Sequence, residues 1–141
     1  MLKHLLLLAA CGAPLACGGE PEHPALTDFD VPTLRPVMFE VDELSRQIEP
    51  LQRDETRMDT VASMARSWQR WIGDPAWQEY MQDPAFFGDP VRYGEYLGWL
   101  AQGAAQVADS AERGDLEGVR AGFTLTQQSC IACHKRFQPQ H

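Results

Sequence analysis

The chain has 141 residues, the length of one domain, with 44% hydrophobic and 23% charged residues. Acids outnumber bases 20 to 12, for a net charge of −8. That balance argues against a nucleic-acid partner, which needs a basic face for phosphates, and against docking on an anionic membrane surface. No apolar run is long enough to span a membrane in the mature chain.

The four cysteines fall at 11, 17, 130 and 133, two near each end. The front pair sits in an export-type segment, residues 1–17. Lys3 and His4 precede an apolar stretch that begins at Leu5. Cleavage before Cys11 follows the better lipobox, Leu8-Ala9-Ala10, but leaves a short apolar region. Cleavage before Cys17 leaves a better length behind a poorer Pro14-Leu15-Ala16. Either cysteine could carry a lipid anchor, and plain secretion stays open. Residues 18–33 hold Gly18, Gly19, Pro21, Pro24 and Pro32 without periodicity, which reads as a flexible tether.

From 34 onward the apolar spacing of three and four predicts an all-α domain spanning 34–141. The first run is Leu34, Val37, Val41, Leu44, Ile48 and Leu51. The second is Met58, Val61, Ala65, Trp68 and Ile72, stopped by Gly73-Asp74-Pro75. Residues 73–91 then form a long link with three Asp-Pro pairs. Trp77, Tyr80, Phe86 and Phe87 mark it as packed, with room for a helical turn. The third run is Tyr93, Tyr96, Leu100, Gly103, Val107 and Ala111, ended by Arg113-Gly114. Asp115 opens the fourth: Leu116, Val119, Phe123, Thr126, Cys130, Cys133 and Phe137. Short links on either side of the long one predict an antiparallel four-helix bundle.

Cys130-Ile131-Ala132-Cys133-His134 is C-x-x-C-H, the attachment pattern for a c-type haem. Two thiols three residues apart share one side of a helical turn and can form thioethers with the two vinyl groups. The next residue, His134, can give a ring nitrogen to the iron. A thioredoxin-like pair needs a βαβ setting, and a zinc site needs further ligands that His4, His23 and His141 are poorly placed to supply. A plain disulfide is the remaining alternative.

Gly114-Asp115-Leu116 opening the last helix, and Cys130 through Phe137 closing it, resemble the class II cytochromes c, the cytochrome c′ family. The resemblance covers about residues 34–138. It implies an up-down-up-down bundle, an architecture for which cytochrome c′ is a standard example, with one covalently attached haem c and its iron. The family often ends its motif with Tyr-Arg. Phe137-Gln138 stands there instead, so no propionate role passes to Arg136.

In such a bundle the end of helix four lies level with the start of helix one. The pocket candidates at that level are Leu34, Trp68, Ile72, Tyr93, Leu97 and Phe137, with Arg35 matching the family's helix-one arginine. Met38, one turn into helix one, is the leading sixth ligand. Met81 in the long link and an open site are the alternatives, and Phe39 could cover the distal face if Met38 points away. Each of these has a plainer reading as core filling or solvated surface.

Three functions are weighed: an electron carrier, a five-coordinate binder of NO or CO, and a lipoprotein adaptor with a structural haem. No paired carboxylates or nucleophile–base set can be assigned, so no enzymatic activity is expected. The redox partner protein is not identified by the sequence. The resemblance also raises a homodimer through the first two helices. Charges on their faces, such as Glu40, Glu43, Arg66 and Arg70, leave that open.

Overall fold

The computed structural model describes residues 34–82 and 88–137. The signal and tether segments, Phe86, Phe87 and residues 138–141 lie outside them. The described residues form five α-helices and one 3₁₀ turn, with no strand among them. The helices are α1 (Leu34–Leu51), α2 (Met58–Ile72), α3 (Ala76–Gln82), α4 (Pro90–Glu112) and α5 (Leu116–Phe137). The 3₁₀ turn Glu55–Arg57 links α1 to α2.

The spaced apolar residues form the core. All five of the α2 run are buried, and so are Leu34, Val37, Val41 and Ile48 of α1. Leu44 and Leu51 are half-buried. Removing these stripes from water is the main favourable contribution to folding.

Polar residues fix where each helix starts and stops. Asp54 accepts hydrogen bonds from the Thr56 backbone N–H and hydroxyl, opening the 3₁₀ turn. Asp74 accepts from the Ala76 N–H at 2.9 Å and so starts α3, the short helix inside the long link. Gly114 turns the chain between α4 and α5 with φ of 70°, a conformation glycine adopts without steric cost. Asp115 then accepts from the Gly118 N–H at 2.9 Å.

One boundary differs from the sequence expectation. The link was expected to run to 91, but α4 begins at Pro90. Asp89 accepts from the N–H groups of Val91 and Arg92, and Pro90 sets the first helical φ without needing a donor. Pro90, Val91 and Arg92 are exposed and the first buried residue of α4 is Tyr93, so apolar spacing carries no trace of the three residues before it.

The α4–α5 packing is the closest in the bundle. Gly103 and Gly122 face each other, and a β-carbon on Gly103 would stand 2.8 Å from the Gly122 carbonyl oxygen. Contacts step from Ser110 near Gly118, through Gly103 near Gly122, to Tyr96 bonded to Ser129. The ring of Tyr93 meets that of Phe137 edge-on at 5.4 Å. α2 packs on α4, where Arg66 bonds Asp109 and Glu112. α1 packs mainly on α2.

Candidate functional site

The Cys-x-x-Cys-His segment is helical throughout, so the geometry of α5 sets its side chains. Cys130 and Cys133 are half-buried on one side of the last turns. Both line a cavity of about 350 Å³ between α1 and the α4–α5 pair. His134 lines the same cavity.

Four helices build its walls. α1 gives Met38, Val41, Asp42 and Ser45; α3 gives Trp77. α4 gives Tyr96, Leu97 and Leu100. α5 adds Gln127, Ser129 and Ile131 to the two cysteines and the histidine. Trp77 is held by its indole N–H, which donates to the Trp71 carbonyl at 2.9 Å. Ser129 is held by its hydroxyl, which donates to the Tyr96 carbonyl at 2.6 Å.

Burial pushes the Cys133 thiol up to about 11, and neighbouring Cys130 adds to the rise. Burial also raises Cys130, with the Asp42 carboxylate contributing. Both thiols are therefore protonated near neutral pH. With the other described residues they form no cluster of three or more His, Cys, Asp or Glu that could hold a bare metal ion.

Five residues singled out in the sequence thus meet at one cavity: Met38, Leu97, Cys130, Cys133 and His134. Leu34, Trp68, Ile72, Tyr93 and Phe137 are buried in the core and do not line it. Burial and the nearby Cys133 hold the Tyr93 phenol well above its usual range. The Trp68 indole N–H is buried with no acceptor among the described residues. Arg35 is exposed on the first turn of α1, outside the lining. Phe39 is 61% exposed and also outside it. Met81 is half-buried in α3.

Sequence reading passed over Val41, Asp42, Ser45, Tyr96, Leu100, Gln127, Ser129 and Ile131 as site residues. A signal for several was present. Asp42 and Ser45 follow Met38 by four and seven residues, and Gln127 precedes Cys130 by three. These are same-face helical intervals.

A haem suits this arrangement. The cavity is bounded mostly by apolar side chains, and two thiols share one wall with an imidazole. A thioether side chain, Met38, comes from a different helix. The family model described as Cytochrome C′ matches residues 42–138. Comparisons with curated proteins and with solved structures gave no match. The family match takes in α2 to α5, the second half of α1 and the whole Cys-x-x-Cys-His segment, and the chain belongs to the cytochrome c′ family, whose members bind a c-type haem.

Proposed function

We propose that the protein is a single-haem electron carrier of the cell envelope. Cys130 and Cys133 would hold the haem as thioethers, and His134 and Met38 would each give a side-chain atom to its iron. The observation that carries this reading is that Met38 lines the same cavity as both cysteines and the histidine. When bound, the haem supplies one-electron Fe(II)/Fe(III) chemistry. The protein's own residues keep that chemistry simple. With both His134 and Met38 as ligands no open position would be left on the iron, and electron uptake would need little rearrangement of these side chains. Val41, Leu97 and Leu100 give the cavity apolar walls, and methionine–histidine ligation would raise the potential.

The up-down-up-down antiparallel topology belongs to this proposal, and the stepping of contacts along α4 and α5 supports it. So does an exported location. Cytochromes c′ are typically periplasmic, and no described helix is long and apolar enough to cross a membrane. Residues 1–17 would direct export, and Cys11 or Cys17 would carry a lipid anchor if one is added. We infer a carrier rather than an enzyme, serving a redox partner protein. The acidic net charge would steer it to a basic partner surface.

Absorption spectra of the purified protein test the reading. The expected result is low-spin iron in both oxidation states, with little response to CO. A high-spin ferrous spectrum that shifts readily with CO would assign the apolar cavity to binding a small gas instead. Covalent attachment has its own check. Haem should survive denaturation in the wild-type protein and be weakened or lost in Cys130→Ala and Cys133→Ala. Unchanged retention in both variants would overturn the c-type assignment.

A further inference from the structure

The cavity wall is mostly apolar, but it includes one carboxylate, Asp42 of α1. Asp42 stands one helical turn beyond Met38 and lies close enough to Cys130 to act on its thiol electrostatically. Its side chain is 67% exposed and pairs with Arg46 at 3.1 Å. Arg46 also pairs with Glu43 at 3.0 Å. Glu43 is the next residue in the chain, carries the same charge and shares the same arginine. It does not line the cavity.

We propose that Asp42 is a charge-setting residue of the haem site, favouring the oxidised state, and that Arg46 limits its effect. This rests on the reading of Cys130 and Cys133 as haem anchors. Reduction transfers one electron from a donor protein, which is oxidised by one electron, and ferric iron becomes ferrous. The site gains one negative charge, and a carboxylate at the cavity wall opposes that gain. Arg46 draws on the same carboxylate from the solvent side and partly offsets it. Solvent screens an exposed charge, so the effect is modest. It amounts to about a twofold to fivefold change in the oxidised-to-reduced ratio at fixed ambient potential and low salt.

The test is a spectroelectrochemical titration of the haem-loaded protein and its Asp42→Asn, Asp42→Glu and Glu43→Gln variants. It is run at about 0.01 M and about 1 M salt, where the screening length falls from ~30 Å to ~3 Å. Asp42→Asn should raise the midpoint potential. Asp42→Glu should stay near wild type, and Glu43→Gln should shift it by less than half as much as Asp42→Asn. High salt should shrink the difference. An unshifted Asp42→Asn, or a Glu43→Gln shift equal to it, overturns the proposal. If Asp42→Asn fails to load haem, Asp42→Ser removes the same charge with a smaller side chain: its midpoint should rise in the same way, and an unshifted midpoint overturns the proposal. Absence of covalent haem from the wild-type protein would instead overturn the haem-anchor reading itself.

Discussion

The Ser129 hydroxyl donates to the Tyr96 carbonyl at 2.6 Å, tying α5 to α4 one residue before the first haem-motif cysteine. Ser129 is 2% exposed, and both residues line the cavity. The Tyr96 carbonyl lies inside α4, where it also serves the helix ladder, so the serine adds a second bond to it. Ser129→Ala removes that added bond and leaves the helix intact. We expect a loss of about 0.5–1.5 kcal/mol, measured by urea unfolding. A loss well above that range would mean that the bond also holds the packing of α4 on α5.

Glycines on one helix should respond to alanine with opposite signs. At Gly103 a β-carbon would stand 2.8 Å from the Gly122 carbonyl oxygen and 2.9 Å from the Thr126 backbone nitrogen. Both are backbone atoms, so α4 and α5 must separate. Gly103→Ala should cost about 1–3 kcal/mol in a thermal or urea melt. At Gly94 and Gly98 a β-carbon would meet nothing within 4 Å. Alanine there should stabilise by up to about 1 kcal/mol through helix propensity.

The contrast between these glycines also marks what the sequence could reveal. Helices buried by a regular stripe were readable, because Val61, Ala65, Trp68 and Ile72 repeat the same interval that turns one face inward. The start of α4 was hidden because a cap fixes it, and Asp-Pro occurs three times in the long link without distinguishing marks. The haem motif was readable because its three functional residues are local. The rest of the cavity depends on which face of each helix meets the gap. Bundle topology gave the level along the axis, and Leu34, Ile72 and Tyr93 were singled out at that level. They are seam positions that pack helix against helix. Met38, Asp42, Ser45, Leu97 and Gln127 flank the seam and meet the cavity together with seam residues such as Val41 and Leu100, so seam membership alone does not sort lining from core. Trp77 reaches it from α3, whose seven residues are too few for a periodic signal.

Acid should weaken the link between α2 and α4. Arg66 donates from Nε to one Glu112 oxygen at 2.9 Å and from Nη2 to the other at 2.7 Å. It also reaches Asp109 at 2.8 Å. The hydrogen bond from Arg66 holds the Glu112 carboxyl below its ordinary value of 4.5. The folded protein therefore binds this proton less readily than the unfolded chain. The stabilising contribution is full above about pH 4.5 and is lost as pH falls through the lowered folded value. Glu112→Gln should melt earlier than wild type near neutral pH, and the gap should close in acid. The pair is exposed, so high salt should narrow the gap as well. A gap that persists unchanged in acid would assign the effect to packing.

Met38 decides between the two kinds of haem site, and two substitutions separate its possible roles. It is half-buried, packs against the core and lines the cavity with Cys130, Cys133 and His134. Met38→Leu keeps nearly the same volume and should cost less than about 1.5 kcal/mol in stability. It removes the only sulfur on the α1 wall. If that sulfur binds iron, the leucine variant loses its low-spin spectrum and gains CO binding, although the core stays filled. Met38→Ala should show the same spectral change with a larger loss of stability, because it also leaves space unfilled. If Met38 only fills space, leucine leaves the spectrum as it was, and alanine changes stability without changing ligation. The leucine variant is therefore the decisive one: its spectrum reports ligation with packing held nearly constant.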